Sequence, residues 1–152
     1  MYPLAIATFF GALLMLYTAS EPTQKNEVQA KLVAEVAATN FLAYRNAVQR
    51  YLQANPSATG TIDNTALTPF FSLGYVTDSR WSNILAGGVF HVYSVSAVPP
   101  GLLTQLHSRA QDNLLIGVKD AATGQLRAWS GLNTGITLPT SIANNAIVMM
   151  GR

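Results

Sequence analysis

An uncharged apolar segment opens the chain and constrains its fold more than any other feature. No residue from Tyr2 to Ala19 carries a charge. Eighteen helical residues span about 27 Å, which matches the hydrocarbon core of a bilayer. We therefore predict a transmembrane anchor over residues 1–20. Its large apolar side chains include Leu4, Ile6, Phe9, Phe10, Leu13, Leu14 and Leu16.

A cleaved signal peptide is the rival interpretation of this segment. A signal peptide carries basic residues before its apolar run, and here Tyr2-Pro3 stands in that place. Thr18-Ala19-Ser20 does offer a small-residue cleavage site. We favour a retained single-pass anchor in a bacterial inner membrane.

The orientation of the chain in that membrane is predicted less directly. Lys25 and Lys31 follow the anchor, and the positive-inside rule would place them in the cytoplasm. Charged residues make up only 11% of the chain, a composition common in exported bacterial proteins. Because of that composition and a family resemblance described below, we favour a periplasmic domain, and the conflict with the charge rule stays open.

The remaining residues are numerous enough for one domain with its own core. The net charge is +2, and the basic residues are scattered along the chain, which does not favour nucleic acid as a partner. The chain has no cysteine, so it can form neither a disulfide nor a thiolate metal site.

A second, amphipathic helix is predicted for residues 21–53, entered through a break or kink at Ser20-Glu21-Pro22. Apolar residues at spacings of about three and four predict one stripe along it. We expect the C-terminal half of the stripe, residues 41–52, to cover a sheet. The membrane-proximal part could instead meet a partner protein, and its candidate contact residues are Val28, Leu32 and Val36.

Residues 54–152 are predicted to complete an α+β domain in which this helix packs on a small antiparallel sheet. Residues 54–88 form a mixed connection in which Trp81 packs on the core. After it come four predicted strands and one short helix, separated by turn residues. The strands are residues 89–96, 114–119, 126–130 and 146–150, and the helix is residues 102–111.

No catalytic or metal-binding pattern stands out. His91 and His107 are the only histidines and do not have the spacing of metal ligands. There is no nucleophile elbow, and Gly87-Gly88 precedes a strand, so it predicts a turn and not a phosphate loop. We therefore expect no enzyme activity, no metal and no cofactor.

Two arginines stand beside tryptophans. Arg80 adjoins Trp81, and Arg127 is two residues from Trp129. Each pair could stack through a cation–π contact, which we interpret as packing and not as ligand recognition.

Four segments carry a resemblance to a known family. They are the helix end at residues 44–51, Asn55-Pro56-Ser57-Ala58-Thr59-Gly60, Val92-Tyr93-Ser94, and Thr134-Gly135-Ile136-Thr137-Leu138-Pro139. Together with the uncharged N-terminal helix, they resemble the short PilM family encoded with type IVB pilus operons, many of them on conjugative plasmids. The resemblance covers nearly the whole chain and brings no catalytic residues with it.

The resemblance implies a component of the pilus assembly machinery or its basal body in the inner membrane. Its expected partners are other inner-membrane or periplasmic pilus assembly proteins, and a homo-oligomer stays open. The alternative is a minor pilin or pseudopilin, which has a similar layout of long helix and small sheet. Prepilins carry a basic leader and a glutamate early in the apolar helix, and this sequence has neither in its first 20 residues.

Overall fold

The computed structural model describes the backbone of residues 2–110 and 115–151, and the side chains of residues 26–110 and 115–151. Within those ranges a long helix and two short ones are combined with a 3-10 turn at Thr68–Phe70 and one sheet. The helices are α1 (Tyr2–Ala54), α2 (Asn64–Leu67) and α3 (Leu102–Arg109). The strands are β1 (Trp81–Ala86), β2 (Val89–Ser94), β3 (Ile116–Lys119), β4 (Gln125–Ala128), β5 (Asn133–Thr137) and β6 (Ile147–Gly151).

Helix α1 is one element of 53 residues, about 80 Å long. Of the predicted break or kink at Ser20-Glu21-Pro22, the break is wrong, because the helix continues through Pro22. A proline removes one backbone hydrogen bond from a helix, and it can bend a helix without ending it. The side chains of the predicted anchor lie outside the described ones. In residues 26–110 and 115–151, no helix has the length and apolar character needed to cross a membrane.

The sheet is antiparallel, with the strand order β1-β2-β6-β3-β4-β5. The last strand lies in the middle, paired with β2 on one side and β3 on the other. All five of its residues are buried. Alternate residues of a strand point to opposite faces, and accordingly Met149 joins the core under α1 while Val148 joins a core on the other face.

The first core lies between the sheet and helices α1 and α3. Phe41 of α1 is fully buried, and its ring meets the edge of the Trp81 ring at a centroid distance of 5.0 Å. This confirms that Trp81 packs on the core. Leu102 and Leu106 add the buried side of α3 to the same cluster.

The second core is closed by the chain between β5 and β6. Leu138 and Ile142 from this connection pack on the far face of the sheet. The buried ammonium of Lys119 donates to the carbonyl oxygens of Pro139 at 3.0 Å and of Ile142 at 2.7 Å. Because a buried ammonium needs acceptors, these bonds tie the connection to β3.

The α+β class and the packing of a long helix on an antiparallel sheet are confirmed. Each of the four predicted strands corresponds to an observed strand, with ends that agree to within two residues. Residues 111–114, at the end of the predicted short helix and the start of the second strand, lie outside the described residues. The interpretation of residues 54–88 as a mixed connection is wrong at its end, because Trp81–Ala86 forms strand β1. Strand β5, Asn133–Thr137, was not predicted.

Candidate functional site

Helix α1 presents two apolar faces, and only one of them packs against the domain. The buried face consists of Ala34, Ala37, Ala38, Phe41, Tyr44, Ala47 and Val48. At 100° per residue, Leu32 lies about 180° and Val36 about 140° around the helix from Phe41. The two groups therefore lie on opposite sides of the helix.

The prediction of a single apolar stripe along this helix is therefore wrong. Val28, Leu32 and Val36 follow one another at steps of four residues, and each step of four turns about 40° around the helix. The step of five from Val36 to Phe41 then crosses to the other side. The core uses the small alanines of this region instead, because they let the neighbouring elements approach the helix closely.

The three residues predicted to contact a partner form an exposed face. Val28 and Leu32 are more than half exposed, and Val36 is 70% exposed. Val33 lies beside them and is half exposed. Single exposed apolar residues are normal on a protein surface, whereas a contiguous group is typical of a contact surface. We call Val28, Leu32 and Val36 the exposed face of α1.

A loop formed by residues 72–76 lies next to this face and extends it. Phe71, just before the loop, and Tyr75, within it, stack with ring centroids 4.1 Å apart. Phe71 also packs on Tyr44 of α1. Leu73 is fully exposed and Val76 is largely exposed. The aromatic rings thus fix the loop to the helix while two aliphatic side chains face solvent. We call residues 72–76 the apolar loop.

Asn40 holds the apolar loop against the helix. Its side-chain oxygen accepts from Trp81 Nε1 at 2.7 Å and from the Tyr75 hydroxyl at 3.3 Å. Its Nδ2 donates to the carbonyl oxygen of Val76 at 2.9 Å. Burial raises the pKa of Tyr75 to about 12, so its hydroxyl keeps its proton and stays a donor near neutral pH. One amide therefore connects α1, β1 and the loop.

A groove of about 480 Å³ lies between the helix and the apolar loop. Among the residues whose side chains the structure describes, those that line it carry no charge. Its lining residues are Val36, Thr39, Asn40, Ala43, Ser72, Leu73, Gly74, Tyr75 and Val76.

An ion pair borders the exposed face on the side away from the loop. Arg109 of α3 donates to Glu35 at 2.5 Å and to the Thr39 hydroxyl at 2.8 Å. Glu35 and Thr39 belong to α1, so Arg109 attaches the end of α3 to the helix. The charges next to the groove are thereby paired within the chain.

The residues first considered for chemistry lie apart from this surface. In the described ranges, no group of three or more histidine or acidic side chains could hold a metal ion. His91 is buried in β2 with Nδ1 3.3 Å from the carbonyl oxygen of Ile84, and burial lowers its pKa. The His107 ring stacks on the Trp129 ring, with their centroids 4.2 Å apart. Gly87 and Gly88 form the β1–β2 turn with φ angles of 61° and 75°, which confirms the turn interpretation.

The two predicted arginine–tryptophan contacts have different outcomes. The Arg80 guanidinium lies over the Trp81 ring at 5.1 Å, and Asp78 holds it there through hydrogen bonds of 2.5 to 3.0 Å. The contact between Arg127 and Trp129 is not formed. Nη1 of Arg127 lies 3.9 Å from Oδ2 of Asp120, and Trp129 stacks on His107 instead.

Sequence reasoning missed the apolar loop and Asn40. The run from Phe70 to Val76 is rich in aromatic and aliphatic residues but is too short for its period to be read. An asparagine inside a helix carries no signal of its own, since its role comes from partners 35 and 41 residues away.

Comparison with known proteins gives a consistent result. The model of a family described as PilM matches residues 8–150. A crystal structure named as a PilM protein, from Escherichia coli B7A, is 25% identical, with a TM-score of 0.61, and the match covers 81% of this chain and 94% of that one. A second, from Pseudomonas aeruginosa 2192, is 26% identical with a TM-score of 0.44, covering 78% of this chain and 95% of that one. No curated protein matches the chain.

Proposed function

The chain belongs to the PilM family, and from this premise we propose that it is a non-enzymatic inner-membrane component of the machinery that assembles type IV pili. It acts in the basal body or assembly platform through protein–protein contacts. Where the pilus serves conjugation, the same role contributes to mating. Its partners are other inner-membrane or periplasmic pilus assembly proteins.

The observation that carries the proposal is the division of α1 into two faces. One face packs in the domain core, and the other leaves Val28, Leu32 and Val36 exposed beside the apolar loop. A contiguous apolar surface of this kind favours contact with another protein over free exposure to water. The family match over residues 8–150 supports a role in pilus biogenesis.

The uncharged segment from Tyr2 to Ala19 supports the membrane location. It belongs to the same continuous helix as the exposed face. Val28 follows Ala19 by nine residues, about 13 Å along a helix, so an anchor that ends at Ala19 would hold the exposed face just beyond the lipid headgroups. The low content of charged residues supports a periplasmic domain.

A minor pilin or pseudopilin is the alternative, and one observation favours it: a long N-terminal helix packs on a small antiparallel sheet. The two roles differ in where the protein is found. A pilin leaves the membrane with the pilus, whereas an assembly component stays behind.

Deleting the gene is expected to abolish piliation, and expression of the full chain is expected to restore it. In the complemented strain the protein should be in the inner membrane at its full mass of 16.3 kDa and absent from pili sheared off the cells. Cell fractionation, intact-mass measurement and electron microscopy of pili check these points. Recovery of the protein in sheared pili would support the pilin alternative, and a soluble form about 20 residues shorter would contradict the anchor.

A further inference from the structure

We propose that the partner of the exposed face is a second copy of this chain, and that two α1 helices pair in parallel just outside the membrane. The parallel direction rests on the proposed function, because two helices anchored from the same side of one membrane leave it in the same direction. The spacing, the charge and the shape of the described part of α1 support the pairing itself.

The spacing on the exposed side of α1 is that of a coiled-coil seam. Gln29, Leu32, Val36, Thr39 and Ala43 follow one another at steps of three, four, three and four residues. This is the alternation by which two helices interlock their side chains. Every seventh residue on the opposite side, namely Ala34, Phe41 and Val48, is buried in the chain's own core. The helix can therefore serve its domain and a second helix at once.

The charges of this side favour an identical partner. None of the five seam residues is charged, so a partner with charged groups there would lose their hydration without compensation. In a parallel pair, a residue flanking the seam faces the residue five positions further along the other helix. Val28 then faces Val33 of the second copy, and Glu35 faces Asn40. No like charges meet, and Glu35 is already bonded to Arg109 of its own chain.

The groove beside the seam gives the second helix a place to lie. Its floor includes Thr39 and Ala43, which are small enough to allow close approach, and its wall is the apolar loop. In a symmetric pair, the fully exposed Leu73 of each copy comes against the helix of the other copy. The pairing therefore covers Leu73, the most exposed aliphatic side chain among the described residues.

Anchoring both copies in one membrane lowers the affinity that such a seam needs. Molecules held in the same surface meet at a high effective concentration, and a short seam that would be weak in solution can then stay paired.

Single-cysteine variants test this pairing, because the chain contains no cysteine of its own. Gln29→Cys and Val36→Cys lie on the seam, seven residues and about 10 Å apart along the helix. A disulfide needs Cα atoms within about 7 Å, so both variants form dimers under mild oxidation only if the helices are parallel and in register. Lys31→Cys, exposed on the same helix but off the seam, and Leu132→Cys, exposed on the β4–β5 turn, are the controls.

We expect both seam variants, oxidised in whole cells, to give several-fold more disulfide dimer than either control. Dimer yields equal to those of the controls would overturn the pairing. An adduct whose mass differs from that of a dimer would also overturn it, because it would identify another protein on the seam. Dimer from only one seam position would overturn the parallel arrangement. Fractionation of the same cells reports the membrane location separately, so failure of the pairing and failure of the proposed function are distinguished.

Discussion

Replacing Phe41 with alanine is expected to lower the free energy of unfolding by about 4 kcal/mol, whereas Val36→Ala changes it by less than about 0.5 kcal/mol. Phe41 is fully buried against Trp81, so its removal leaves a cavity in the first core. Val36 is 70% exposed, so its truncation removes little packing within the chain. Both changes keep good helix propensity, because alanine is the best helix former.

Urea unfolding of the purified full chain, followed by tryptophan fluorescence, measures both effects. The two variants differ in position by only five residues on one helix, so each is a control for the other. Equal destabilisation by the two substitutions would show that both faces of α1 pack within the domain, and the assignment of an unpartnered face would be wrong.

Asn83→Ala is expected to lower the free energy of unfolding by about 3 kcal/mol, because it leaves the buried N–H and C=O of Ile62 without their partner and removes a donor to the Tyr44 hydroxyl. Asn83 is fully buried. Its side chain accepts from the Ile62 amide at 2.9 Å and donates to the Ile62 carbonyl oxygen at 2.9 Å and to the Tyr44 hydroxyl at 2.8 Å. It thus links β1 both to α1 and to the connection before α2.

Asn46→Ala is the matched control, since Asn46 is exposed on α1 and its side chain meets only Arg45, at 3.4 Å. Its expected effect is less than about 0.5 kcal/mol. The same urea titration compares the two asparagines. A loss at Asn83 no larger than that at Asn46 would mean that the hydrogen bonds around Asn83 contribute little to holding β1 on the helix.

The strands that could be predicted from sequence are those with a regular pattern. Val89–Ser94 is rich in β-branched and aromatic residues, and Ile147–Gly151 is a short apolar run after a turn. Asn133–Thr137 has neither signal: it is an edge strand with a polar composition and a glycine at its centre. Trp81–Ala86 includes Asn83, whose burial depends on partners distant in sequence.

The strand order could not be predicted, because pairing is decided by contacts between segments far apart in the chain. Val92 pairs with Met149 across 57 positions, and Ile116 pairs with the same methionine from the other side. The sequence identifies β6 as a strand, but nothing local indicates that it occupies the middle of the sheet. The only sign of this central position in the sequence is that β6 is a continuous apolar run, as expected for a strand buried on both faces.

The candidate site was predicted in part. The residues Val28, Leu32 and Val36 were identified from their spacing, and the structure places them together on one exposed side of α1. Their contact with a partner stays a prediction. The apolar stripe was predicted to continue from Val36 to Phe41, and in the structure it does not. Spacings of three and four were found on both sides of this point, but the step of five between Val36 and Phe41 separates two different faces of the helix. The loop that completes the surface depends on tertiary hydrogen bonds to Asn40.

Piliation of cells carrying Leu73→Asp tests most directly whether the exposed apolar surface is what the protein works through. Leu73 makes no core contact, so the variant should accumulate normally, while a carboxylate in a contact surface loses its hydration without compensation. In the complemented deletion strain we expect about tenfold fewer pili or less, the effect of losing roughly 1.4 kcal/mol or more of contact energy. Leu132→Asp, at a leucine that is also largely exposed but lies on the β4–β5 turn, should leave piliation unchanged. Normal piliation with Leu73→Asp at normal protein level would contradict the account.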